Sequence, residues 1–227
     1  MKRDNFLEKI AEIKDTIQNV GGVIRCEYIS APADIKEIEA IERAYQVNFP
    51  EDFIQYLTAV AAEVNIQWSF DRNIKLAVIK ALPTFLTRFN AIYSGSLIWS
   101  VKYLSSKINY FKRFNPNGIV LRTKNTVTSD DALSGTVSLC EVPCGDEIRM
   151  NLAAPTNDKP IFYLSHSDPD NSLIQLAPSF DEYVQQLLGI ALVGSEIEQQ
   201  RSFITESCNG LDCKCKNALL WTDFLKR

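Results

Sequence analysis

The chain has 227 residues, 46% of them hydrophobic and 23% charged, and 24 Lys and Arg stand against 28 Asp and Glu for a formal net charge of -4. This is the composition of a folded globular chain, long enough for one domain with appendages or at most two, and it excludes a disordered one. A mildly acidic chain with no long basic run makes a poor grip for a phosphate backbone, and no apolar run approaches the roughly 20 residues that cross a bilayer.

From the amino terminus, Asp4 to Val20 reads as a helix. Phe6, Leu7, Ile10, Ile13, Ile17 and Val20 recur every three or four residues, Asp4 or Asn5 is placed to cap it, and Gly21-Gly22 stops it. Val23 to Ile29 is rich in β-branched and aromatic residues and reads as a strand. A helix with Ser30 and Pro32 at its start then carries an apolar stripe of Ile35, Ile38, Ile41 and Tyr45, with charges opposite. The segment VNFPEDFIQYLTAVAAE begins another helix. Pro50 suits its first position, Glu51 and Asp52 favour the positive end of the macrodipole, and Phe53, Tyr56, Leu57 and Val60 continue the buried stripe.

Between Asn65 and Thr128, IQWSF, KLAVI, SLIWSVKYL and GIVLRT read as strands, and ALPTFLTRFNAIY and LSSKINYFKRF as helices. Trp68 and Trp99 fall in strands and are expected in the core. Thr136 to Val142 is a strand, and Pro143-Cys144-Gly145-Asp146 a tight turn. Glu147 to Leu152 and Pro160 to His166 alternate with period two, and Ser172 to Ala177 is a further short strand. Ser179 and Glu182 form a capping box for a helix that turns Phe180, Val184, Leu187, Leu188 and Ala191 to the core and ends at Gly194. Ser195 and Glu198 are placed to cap a polar helix reaching Glu206, and Trp221 in the apolar ALLWTDFL is expected to pack the tail back onto the domain. Strands joined by short turns pair antiparallel. The expected fold class is therefore α+β, an antiparallel multi-stranded sheet flanked by helices.

Two blocks carry a family resemblance. IEAIERAYQVNFPEDFIQYLTAV resembles the opening signature of the SUKH superfamily, with Ile38, Ile41, Phe49, Pro50, Asp52, Phe53 and Leu57 at matching positions. The later block is similar in order to the family's strand, Gly-Asp turn, strand and Ser-Phe step into a final helix, through Gly145, Asp146, Ile161, Tyr163, Ser179, Phe180 and Tyr183. Phe49 replaces the usual Leu, and Val60-Ala61-Ala62 stands where the family has Asn-Gly. The resemblance spans Tyr28 to Val193. It divides the chain into an N-terminal helix over 1–22 that packs on the domain, a SUKH-like domain over 23–193, and a helical, cysteine-containing extension over 194–227.

What the resemblance implies is a protein-binding role without catalysis. The superfamily holds bacterial immunity proteins that neutralise polymorphic toxins by direct binding, and Smi/Knr-type regulators of fungal cell-wall assembly. The expected partner is a cognate toxin domain, with no direct nucleic-acid contact, no membrane and no cofactor; the alternative is a Smi/Knr-like regulatory scaffold. Asp146, Asp158, Asp168 and Asp170 cluster in the turns of one segment and are the candidates for meeting a basic partner. Turn chemistry alone also accounts for Gly145-Asp146, the glycine supplying a positive φ and the carboxylate bonding nearby backbone N–H groups.

The chemical alternatives are weaker. His166, the only histidine, stands with Asp168 and Asp170 in a metal-ligand or general-base pattern, but SHSDPDN is also dense in turn-forming residues. Cys208, Cys213 and Cys215 lack the paired spacing of a structural zinc site and would need a distant fourth ligand such as Cys144 or His166. INYFKRF, residues 108–114, interleaves basic and aromatic side chains, and an amphipathic helix explains it better than nucleic-acid stacking. No P-loop, dinucleotide fingerprint, nucleophile elbow or zinc-protease helix occurs, so no catalytic residue and no metal is expected. MKRDNFLEKIAEIKD mixes both charge signs and does not read as a secretory leader, so the expected compartment is the cytoplasm, with all six cysteines reduced.

Overall fold

The structure, a computed structural model, describes residues 1–70, 92–104, 136–142, 145–152, 154, 158–165, 174–194 and 196–226. The expected elements over 75–79 and 118–123, and most of the helices over 81–93 and 104–114, lie outside these residues.

Helix α1 (Arg3–Asn19) buries Phe6, Ile10, Ile13 and Ile17, the stripe its 3.6-residue period predicts. Lys2, rather than Asp4 or Asn5, holds the cap position and makes no side-chain cap bond. Instead the Arg3 guanidinium donates to the carbonyls of Ser30 and Val60, fixing the helix start to the domain. Strand β1 (Gly22–Ile29) follows. Helix α2 (Ile35–Tyr45) starts later than Ser30 and Pro32 suggest, because the Asp34 carboxylate accepts the Lys36 N–H at 2.9 Å. Helix α3 (Glu51–Gln55) begins one residue after Pro50, which takes the cap position, and runs into a π-helical turn over Tyr56–Val60.

The first sheet is an antiparallel meander of β1, β2 (Glu63–Phe70) and β3 (Ser94–Ser100). On β2 and β3 burial alternates strictly, and Val64, Ile66, Trp68, Phe70, Leu97 and Trp99 form one inner face. The strand read through SLIWSVKYL stops at Ser100, and residues 101–104 are helical. The second sheet is an antiparallel meander of β4 (Thr136–Glu141), β5 (Glu147–Asn151), β6 (Ile161–Leu164) and β7 (Ile174–Ala177). Helix α4 (Phe180–Gly189) closes the unit. The fold is α+β with antiparallel sheets, as the sequence predicts.

The largest departures lie after α4. The helix ends at Gly189 and not at Gly194, because Ala191 and Leu192 take left-handed backbone angles, φ 54° and 58°. Two adjacent non-glycine residues there are costly, and persist only where surroundings hold them. Three donors do so. The Trp221 indole N–H donates to the Ile190 carbonyl at 3.0 Å, the Trp68 indole N–H to Ala191 at 2.9 Å, and the Ser96 N–H to Leu192 at 2.8 Å. Gly95 permits this approach: an added Cβ would lie 2.0 Å from the Trp68 indole nitrogen and 2.4 Å from the Leu192 carbonyl oxygen.

The polar helix expected from Ser195 to Glu206 is also replaced. A single α-turn, α5 (Ile197–Gln200), passes through a 3₁₀ turn (Arg201–Phe203) into a hairpin of β8 (Ile204–Thr205) and β9 (Gly210–Leu211). Tertiary packing decides this, since Ile197, Gln199, Gln200 and Phe203 are all buried. Helix α6 (Lys216–Leu225) then returns across the domain, and Trp221 stacks on Trp68 at 6.4 Å and 16°. The tail is thus part of the core.

Truncating either ring of this stack removes a fully buried aromatic and the indole N–H that donates to a carbonyl of the turn. Trp221→Ala and Trp68→Ala are each expected to lose about 3–5 kcal/mol in urea denaturation. The double variant is expected to lose less than their sum, because the rings share a contact.

Candidate partner-binding surface

The family-motif residues join α3 to α4. Asp52 Oδ1 accepts the Phe53 N–H at 2.8 Å, and its Oδ2 accepts the Asp181 N–H of the first turn of α4 at 2.9 Å. One carboxylate therefore serves the N-termini of two helices, where exposed amides and the macrodipole favour it. Asp181 in turn accepts the buried Tyr56 hydroxyl at 2.8 Å. Burial first, then the Asp181 and Asp52 charges, push the Tyr56 phenol well above its ordinary range. Ser179 caps α4 by accepting the Glu182 N–H at 3.2 Å. Phe180 packs against Phe53 at 4.6 Å, Tyr56 at 5.3 Å and Trp99 at 5.6 Å, and Phe49 meets Phe53 edge-on at 5.5 Å. All of these side chains work inside the fold.

The second block behaves alike. Gly145 has φ 89°, and its N–H donates to the Val142 carbonyl at 2.9 Å, closing the turn from β4 to β5. Asp146, a candidate for partner contact, is placed in the interior at 6% exposure, where it accepts the buried Tyr163 hydroxyl at 2.5 Å. A carboxylate that satisfies a buried phenol is not presented at the surface. Asp158 is exposed. Asp168, Asp170, His166 and Cys144 lie outside the described residues.

The period-two pattern of β5 makes two faces, and both are buried. Its polar face holds an ion pair between Glu147 and Arg149, the latter 2% exposed. Arg149 also donates to the Thr136 hydroxyl at 2.8 Å and carbonyl at 3.2 Å. Burial pulls the guanidinium pKa down, and the Glu147 charge opposes the shift. On the opposite face burial, with Glu147 adding to it, raises the Cys140 thiol to about 12.

Carboxylates reach solvent on the helix faces that the apolar stripes leave outward. On α2, Glu37 and Glu39 are exposed among Lys36 and Arg43, and Glu39 pairs loosely with Arg43 at 3.8 Å. An open groove at the end of this helix is lined by Glu39, Glu42, Arg43, Gln46, Val47 and Asn48, with Glu42 accepting the Phe49 N–H at 2.7 Å. These residues were readable as the polar side of the Ile38/Ile41 stripe, but nothing local singled them out from other solvated charges. Two of the tail cysteines make packing or capping contacts: Cys215 Sγ accepts the Ala218 N–H at the start of α6, and Cys213 packs against Gly189. Among the described residues no group of three His, Cys, Asp or Glu side chains is arranged to hold a metal ion, and no helix is long and apolar enough to cross a membrane.

The signature residues of this α+β scaffold are used for packing, and mixed polar faces are left outside. The model of the SMI1 / KNR4 family (SUKH-1) matches residues 32–186, well over half of the chain, and the chain belongs to that family. No curated protein matches it. The matched segment ends inside α4, so α1, β1, the left-handed turn and the tail lie outside it.

Two outcomes follow from the buried groups. Removing Arg149 takes an ion-pair partner from a buried carboxylate: Arg149→Met is expected to cost about 3–5 kcal/mol, and adding Glu147→Leu to recover part of it in urea melts. The folded state holds the Cys140 proton up to a pH of about 12, whereas the unfolded chain releases it from the ordinary value of 9.0. This contribution is intact below pH 9 and is lost as pH rises toward 12; the raised Tyr56 and Tyr183 phenols act in the same direction. Chemical denaturation in steps above pH 9 should show stability falling, and falling less steeply in Cys140→Val.

Proposed function

We propose that the chain is an immunity protein that binds a bacterial toxin domain in the cytoplasm and neutralises it by occlusion, with no bond made or broken. The observation that carries the reading is membership of the SMI1 / KNR4 family (SUKH-1) by a chain whose family-motif side chains are engaged inside the fold. Partner recognition then falls to the surface, where exposed carboxylates such as Glu37, Glu39 and Asp158 suit a basic protein. His166 and the tail cysteines have no catalytic part in this reading.

Co-expression with the toxin domain encoded by the neighbouring gene tests it. The expected result is a stable complex on gel filtration and rescue of growth. No complex and no rescue would remove the toxin reading. Recovery of a housekeeping assembly in its place would favour a Smi/Knr-like regulatory scaffold.

A further inference from the structure

The lateral strands of a sheet carry backbone N–H and C=O groups that lack a partner on one side. In the two main sheets most of these edges are closed. The far edge of β3 is met by the left-handed turn, through the Ser96 N–H on the Leu192 carbonyl at 2.8 Å and the Gly194 N–H on the Ser94 carbonyl at 2.9 Å. The far edge of β7 is met by β9, whose Gly210 lies so close that an added Cβ would stand 2.3 Å from the Leu176 carbonyl oxygen. β4 lies beside β3. Among the described residues nothing pairs with the outward side of β1.

The register shows which groups β1 offers. The Ser30 N–H donates to the Glu63 carbonyl at 3.0 Å, and Tyr28 and Cys26 stand opposite Asn65 and Gln67 in the same register. Antiparallel pairing alternates, so these three residues bond into β2, while Glu27 and Ile29 between them turn N–H and C=O outward. Proline, lysine or a bulge commonly blunts such an edge. The bulge of β1 lies earlier, between Ile24 and Cys26, and Cys26 to Ile29 holds no proline and no lysine. The charge in this stretch, Glu27, is drawn back to Lys14 of α1 at 2.5 Å. Tyr28, between the two outward-bonding residues, is 49% exposed. At that position the opposite residue of an added antiparallel strand comes to about 4.5 Å between Cα atoms, the closest approach in such a pair. An exposed tyrosine there is a side chain of the kind that anchors interfaces.

Alternating N–H and C=O groups fix the occupant as an extended backbone. A second copy of β1 fits poorly. A two-fold centred on Glu27 sets carboxylate against carboxylate, and one centred on Tyr28 brings Pro32 opposite Ile24, where the bulge begins. A strand of different sequence meets neither obstacle. We propose that the outward edge of β1, over Cys26 to Ile29, takes an extended segment of the toxin domain as an added strand of the first sheet, with an apolar side chain of that segment against Tyr28. The inference rests on the toxin-binding reading above.

The test uses the full chain and the toxin domain of the neighbouring gene, with amide hydrogen exchange and a binding titration as readouts. In the free chain the amides of Cys26 and Tyr28 are expected to be protected by β2, and those of Glu27 and Ile29 to exchange freely. Adding the toxin domain should slow Glu27 and Ile29 by about tenfold or more. Glu27→Pro removes an outward N–H and spares the ladder to β2, a change that edge strands tolerate, and should weaken binding about tenfold or more. Glu27→Gln loses the Lys14 pair, keeps the N–H, and should bind like wild type. Tyr28→Ser should weaken binding about tenfold. The exchange readout uses no variant, so it decides even where Glu27→Pro does not fold. Toxin binding that leaves Glu27 and Ile29 exchanging freely, or Glu27→Pro and Tyr28→Ser chains that bind like wild type, overturns the edge while leaving toxin neutralisation standing. A free chain that runs as a dimer with those amides protected assigns the edge to a second copy and overturns it as well. A wild-type chain that does not bind the toxin domain overturns both.

Discussion

The structure depends on one short stretch of backbone. After α4 the chain turns left-handed at Ala191 and Leu192, and three successive carbonyls, of Ile190, Ala191 and Leu192, are taken by Trp221, Trp68 and the Ser96 amide. These donors come from the C-terminal helix, the middle strand of the first sheet and its neighbour. Unsatisfied in the core, each carbonyl would carry a desolvation penalty of about 1–3 kcal/mol, and the turn itself is strained. The interaction makes α4, the first sheet and α6 mutually dependent. It also explains why Gly95 must lack a side chain, since a Cβ would occupy the space in which indole and carbonyl meet.

A second junction works on the same logic at the other end of α4. Asp52 serves two helix starts, Asp181 receives Tyr56, and Phe180 sits among Phe53, Tyr56 and Trp99. The residues by which the family is recognised are therefore the ones that position its helices. A motif of this kind identifies a scaffold and says little about what the scaffold binds. Positions the fold does not constrain, such as the outward sides of helices, are free to vary. Their charges cost little stability when changed, so they can be retuned to a new partner without disturbing the core.

Much of this was readable in the sequence, and what was not has physical reasons. The stripe of α1, the antiparallel strands, the Ser179 cap and the return of Trp221 all follow from local periodicity or local chemistry, which a sequence displays directly. The end of α4 does not. GIALVG has the composition of a continuing helix, and only the distant indoles and Ser96 pull it into another conformation. The same holds for 195–206, where the buried Ile197 and Phe203 override a good capping pattern. Asp146 was misleading as a surface candidate because an acidic turn residue looks alike whether it faces water or a phenol; its partner Tyr163 is 17 positions away. The buried Glu147–Arg149 pair was hidden for a similar reason, since alternation reveals two faces of a strand but not whether both are covered.

Native-state hydrogen exchange of the free protein addresses the central dependence most directly. If the tail helix and the left-handed turn hold the core together, the amides of Trp221 to Leu225 will open only with those of β2 and α4, at one free energy equal to that of global unfolding. Opening of α6 at a much lower free energy, with β2 and α4 still protected, would contradict the account.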